Sequence, residues 1–212
     1  MSDKKRYSEL NVEKLNIVDQ DDNLKMTLFN QNNIPPAIMD GKDILPGHRQ
    51  EDPISGIMFY NSEGDECGGL IFGSEVDEEG NVESGMSFTI DQYKQDQVVQ
   101  MHYTEEKGQS HYGFEIFDRP STPLSKITEE MQEIEREDLP EAEKAKAIND
   151  LFQGAAPRAS MSKTPDGEVG VKLMDSKGNQ RIRMVVGDDD VPRMEFLNEK
   201  GEVTYKLPPE GN

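Results

Sequence analysis

The sequence predicts a mainly β fold: antiparallel hairpins and a meander in a curled or closed, barrel-like sheet, with a helical insertion at about 124–153. Three observations predict it. Short apolar runs alternate with polar residues along most of the chain, the period-2 pattern of half-covered strands. Four runs end in one kind of bend: Asp or Asn, two polar residues, then usually Gly. Between 124 and 153 the alternation gives way to apolar residues three and four apart, which is helical spacing.

Residues 1–14 read as a flexible lead-in. Residues 15–121 follow as a hairpin and meander region, opened by Leu15–Val18 and Leu24–Phe29 around the polar cluster 19–23. Segment 39–53, with Gly41, Pro46, Gly47 and Pro53, reads as an irregular crossing. Strands are expected at 57–60, 70–72, 86–90, 99–103 and 111–117, with 73–85 an exposed excursion rich in acids and glycine. Residues 122–154 are the helical insertion. Leu124, Ile127, Met131 and Ile134 form its first stripe, and Thr122 or Ser125 is the expected cap. Pro140 opens a second helix, and Gly154 closes it. Residues 155–169 read as a linker. Residues 170–209 are C-terminal hairpins completing the same domain.

The four bends begin at Asp19, Asn61, Asp175 and Asn198. Asx side chains bond their own backbone two residues on, and Gly supplies the positive φ of a tight bend. The first copy carries Asp22 where the others carry Gly. Asn33-Ile34-Pro35 follows the first hairpin and Asp190-Val191-Pro192 the late one. Residues 15–38 and 171–194 therefore read as copies of one unit, set beside each other in the sheet. Turn chemistry alone is the rival account of the four bends.

Phe88 to Val99 (FTIDQYKQDQVV) and Phe117-Asp118-Arg119-Pro120, with the terminal hairpins, resemble a bacterial β-repeat protein family of unknown function. The resemblance spans most of residues 15–207. It implies no activity and no catalytic residue.

The 212 residues carry 23 Lys and Arg against 43 Asp and Glu, a net charge of −20. That balance opposes nucleic acid, whose binding needs clustered cations, and anionic membranes. Lys4-Lys5-Arg6 and the pair Arg181 and Arg183 are too small to reverse it. No run has transmembrane length. Residues 1–10 lack a signal-peptide core, and the single cysteine, Cys67, fits a reducing compartment. The expected location is cytoplasmic.

Chemistry-bearing residues are sparse. His102 and His111 flank a hairpin loop, and with Glu115 would make a metal site if the strands aligned. The spacing favours solvent-facing cross-strand residues instead. His48 has no evident partner. Cys67 lies between acids that raise a thiol pKa and a Gly pair, and no base is in view. Asp19, Asp21 and Asn23 mimic the start of a calcium loop, but Leu24 and Asn30 occupy the required Gly and Glu positions. Asp188, Asp190 and Glu195 mimic it more loosely. No catalytic, cofactor-binding or metal-ligating residue is assigned, no cofactor is expected, and enzymatic activity stays undecided. The leading expectation is a non-enzymatic acidic protein acting by self-association or by binding a protein partner, with the helices as a docking arm anchored by Met131 and Ile134. The alternative is a small-ligand binder or carboxylate-dependent hydrolase with a pocket near the meander, where His102, Tyr103 or Tyr112 would take part.

Overall fold

The computed structural model describes residues 5–50 and 52–209. Of the lead-in, residues 1–4 lie outside this range; residues 5–13 carry no regular structure. The fold is mainly β. The strands are β1 (Lys14–Val18), β2 (Leu24–Phe29), β3 (Ile38–Met39), β4 (Lys42–Asp43), β5 (Ser55–Tyr60), β6 (Glu66–Val76) and β7 (Val82–Asp91). They continue with β8 (Gln97–Glu106), β9 (Gln109–Asp118), β10 (Ala156–Lys163), β11 (Val169–Met174), β12 (Gln180–Val186), β13 (Pro192–Leu197) and β14 (Val203–Leu207). Two helices, α1 (Leu124–Arg136) and α2 (Glu141–Leu151), separate β9 from β10. Twelve strands form one antiparallel sheet in the order β1-β2-β5-β6-β7-β8-β9-β10-β11-β12-β13-β14, and β3 and β4 pair apart from it.

The expected closure does not occur. β1 and β14 end the sheet on opposite edges, so the terminal hairpins are as far apart as the sheet allows. Each strand pairs with a near neighbour in sequence, and no pairing joins the first to the last. Residues 73–85 are no excursion: Gly73↔Gly85, Ser74↔Ser84 and Glu75↔Glu83 continue the ladder of β6 and β7 to Val76↔Val82. Residues 156–163, read as part of a linker, are β10 in the middle of the sheet. Its Pro157 sits where the register with β9 slips, a place where a strand tolerates proline.

One bend recurs more widely than the sequence showed. In 19–23, 61–65, 77–81, 164–168, 175–179 and 198–202 the first residue's N–H donates to the fifth residue's carbonyl. The fourth residue's N–H donates back to the first carbonyl. The Oδ1 of Asp19, Asn61, Asp77, Asp175 and Asn198 also accepts from the third and fifth N–H groups. The bend thus appears outside the four expected sites, as turn chemistry requires. The two proline elements are not equivalent. Pro192 opens β13 within the sheet, whereas Pro35 follows the 3-10 turn Gln31–Asn33 in a segment that leaves it. The likeness of 15–38 and 171–194 therefore stops at their first two strands, where both hairpins slip register before the bend.

Asp22 takes the left-handed conformation, φ 63°, that Gly64, Gly178 and Gly201 take in the matching bends. A side chain there is strained. We expect Asp22→Gly to stabilise the protein by up to about 1 kcal/mol, read as a higher urea midpoint; a lower midpoint would show that Asp22 makes a compensating contact.

The insertion packs on its own sheet rather than projecting as an arm. Ile127 is 1% exposed, and Met131 turns inward over the sheet with Leu124 and Phe152. The expected caps fail. α1 begins after Pro123 with no side-chain cap, because Ser125 Oγ instead donates to Asp40 Oδ2 at 2.6 Å. Thr122 offers its carbonyl to Gln95 Nε2 at 2.7 Å. Pro140 lies one residue before α2, and the last helical turn ends at Phe152, with Gly154 at φ 93° beyond it.

Candidate functional site

Alternation gives the sheet two unlike faces. One register row runs Asn16, Thr27, Met58, Gly69, Thr89, Gln100, Glu115, Ser160, Lys172, Arg183, Glu195 and Lys206. The adjacent row, on the other face, runs Leu15, Leu28, Ile57, Leu70, Phe88, Met101, Phe114, Met161, Val171, Met184, Met194 and Leu207. A second row on that face, from Ile17 to Tyr205, is equally free of charge and includes Ile90, Ile116, Leu173 and Phe196.

The covered face is the mixed one. Segment 30–54 and the two helices lie over its first half. Phe29, Ile34, Met58 and Tyr60 form the buried cluster there, with Leu24, Ile54 and Ile71 packed against it. Among the described residues nothing covers the apolar face. None of the twelve residues of its central row is buried; Met101 is 56% and Met161 59% exposed.

The two sequence runs singled out above meet on the covered side. Arg119 Nε donates to the Gln97 carbonyl at 2.7 Å, and its guanidinium lies 3.5 Å from Asp96. Gln92 Nε2 donates to the Pro120 carbonyl at 3.1 Å. Lys94 Nζ lies 2.5 Å from Asp40 and 2.9 Å from Glu63. The 92–96 bend thus ties the helices and the 30–54 segment to the sheet.

Between these parts lies a cavity of about 580 Å³, lined by Met39, Ile44, Met131 and Phe152 and by polar groups from β7 and β8. Asp91 lines it at the end of β7. No hydrogen bond reaches its carboxyl among the described residues. Burial first, then the carboxylates of Glu66 and Asp96, push its pKa up to about 7, against partial relief from Arg119 and Arg49. In the unfolded chain Asp titrates near 4. The folded form therefore holds the extra proton between about pH 4 and pH 7, so stability falls as pH rises through that window. Asp91→Asn is expected to raise stability at pH 8 by on the order of 1–3 kcal/mol and to change it little at pH 4. Urea midpoints at the two pH values check this; equal shifts at both would refute the burial of the charge.

Farther along the covered face a second cavity of about 630 Å³ includes His102, His111 and Glu115. His102 pairs with Gly113 and Thr104 with His111 in the ladder, so the imidazoles stand diagonally, ring centroids 4.8 Å apart. The expectation that His102 faces solvent is overturned. Its side chain is 9% exposed, because its face is the covered one. Nδ1 is buried without a hydrogen bond, 3.8 Å from Glu115 Oε2. Burial lowers the His102 pKa, with Glu115 opposing and His111 assisting.

Among the described residues no group of three His, Cys, Asp or Glu is placed to hold a metal ion. Asp19, the start of the calcium-like run, caps its bend; its pKa is held at about 2, first by the Asn23 side chain. Glu195 pairs with Arg183, Asp189 with Arg193. Burial first, then Asp91 and Glu66, raise the Cys67 pKa. Tyr112 lies on the apolar face beside Tyr103, ring centroids 6.0 Å apart. His48 borders the first cavity.

Asp91 was in plain view within the 88–99 run but had no assigned role. The available signal was an acid ending an otherwise clean alternation, on the side shared with Thr89 and Ser87.

The fold and these surfaces define an open antiparallel sheet protein with one covered and one bare face. No protein-family model matches the chain, and no curated protein does. Among the described residues no helix is long and apolar enough to cross a membrane.

Proposed function

We propose that this is a non-enzymatic binding protein that works by self-association, two copies stacking through their bare apolar sheet faces. The observation that carries the reading is the in-register apolar row across all twelve strands, none of it buried in the single chain. Strands about 4.8 Å apart make twelve of them roughly 50 Å wide. Two full apolar rows, about 7 Å apart along each strand, give a face of roughly 700 Å², and Phe72, Met86, Tyr103 and Tyr112 in the next row extend it over the central strands. A stable interface needs about 800 Å² from each partner, while a bare apolar patch on a monomer seldom exceeds about 600 Å². The face is also self-complementary under a two-fold axis, and two such sheets pack about 10 Å apart as a sandwich. The net charge of −20 resides outside the two apolar rows, so stacking does not bury it.

Sedimentation of the intact chain over a wide concentration range tests the reading. The expected mass is that of two chains. A single-chain mass at every concentration overturns it.

A further inference from the structure

The cavity under the helices lies on the opposite side of the sheet from the bare face, so what it does is independent of stacking. We propose that it is a binding site for a small amphiphilic cation, an amine carrying a hydrocarbon body, with the Asp91 carboxylate as its counter-charge.

Three features carry this. The volume, about 580 Å³, is that of a small-molecule site. The lining from the 30–54 segment and the helices is apolar, through Met39, Ile44, Met131 and Phe152, and suits a hydrocarbon. The third feature is the lack of any donor for Asp91. Arg49 holds Glu66 through both terminal nitrogens, at 3.2 and 2.5 Å, and the Pro35 carbonyl through Nε at 3.1 Å. Arg119 is taken by the Gln97 carbonyl and Asp96. Gln95 donates to the Thr122 carbonyl and Gln100 to Ser87 Oγ at 2.9 Å. The charged groups that act on Asp91 are two acids, Glu66 and Asp96, each matched to one arginine, with the Cys67 thiol beside them on β6; His48 and Asp52 line the cavity from the 30–54 segment. Of the three acids Asp91, Glu66 and Asp96, Asp91 is the one without a matched arginine. Asp91 is half-buried; a carboxylate partly withdrawn from water without a donor is costly, and a ligand ammonium supplies both the charge and the hydrogen bonds. An anionic ligand would meet the carboxylates of Asp52, Glu66, Asp91 and Asp96, with Arg49 already engaged.

Calorimetric titration of the full-length protein with hexylammonium chloride tests the site, with methylammonium, hexanol and hexanoate as comparators. Hexylammonium is expected to bind at one site per chain, at least tenfold tighter than each comparator. Its affinity should rise about tenfold from pH 6 to pH 8, as Asp91 ionises around its pKa of about 7 while the amine stays charged. Asp91→Asn, which removes a half-buried charge and so spares the fold, should weaken it at least tenfold. Equal binding of methylammonium would mean a surface charge effect and overturn the site. So would hexanol or hexanoate binding as tightly, a flat pH profile, an unchanged Asp91→Asn variant, or no binding by any probe.

Discussion

Placing glutamates at Met101 and Met161 should convert the stacked form into single chains. The two side chains flank Phe114 in the central apolar row, on β8, β9 and β10. Both are more than half exposed in the single chain, so M101E/M161E leaves that chain's interior untouched. Its folding stability measured at low concentration should change by less than about 1 kcal/mol. In a two-fold stack each substitution occurs twice, and each carboxylate would be buried against another apolar sheet; only Lys163, two residues along β10 from Met161, shares that face nearby. The effective penalty for such a charge is several kcal/mol, and every 1.4 kcal/mol is about tenfold in association. The dissociation constant should therefore weaken at least a hundredfold. Sedimentation equilibrium reads it directly. A double variant that self-associates as tightly as the parent would place the interface elsewhere on the molecule.

Truncating Ile127 should be the most damaging single change to the fold itself. Ile127 is 1% exposed and lies in the first half of α1, where the insertion is tied to the 30–54 segment and the 92–96 bend. Around it Thr128 Oγ1 donates to the Ser125 carbonyl at 2.9 Å, and Ser125 is tied to Asp40. Neighbours held this way relax little into a void. Ile→Ala at such a site costs about 2–5 kcal/mol. We expect Ile127→Ala to lower the urea unfolding free energy by that amount and to speed amide exchange in α1 before the central strands. Ile134→Ala, at a half-buried position one turn from the helix end, should cost less than half as much. If the two variants lose equal stability, α1 is not anchored at its start. Met101→Glu/Met161→Glu and Ile127→Ala thus probe opposite sides of one sheet, and neither effect should carry over to the other measurement.

The strands were legible because their signal is local. Alternation in 86–90, 99–103 and 111–117 places β7, β8 and β9, and the 124–134 stripe places α1. The strand β10 escaped because APRASMSK, with its Pro, Arg and three small residues ahead of Met161, lacks an apolar alternation. It becomes a strand by pairing with β9 on one side and β11 on the other. His102 was misplaced for another reason. Alternation separates Gln100 and His102 from Met101 and Tyr103, but it does not reveal which set is covered. The usual expectation puts the apolar set inside. Here the 30–54 segment and the helices cover the mixed face instead.

The amino-acid order alone determined what depends on residues within a few positions of one another. The Asx bends belong there, since Asp175 and Asn179 complete their hydrogen bonds inside five residues, and so do the strand and helix periods. Whether β1 meets β14, which face carries the helices and which carboxylate is left without a donor were decided only by tertiary structure. Each depends on groups brought together from distant parts of the chain, as Asp40 and Ser125 are, and a local pattern holds no information about partners it has not yet met.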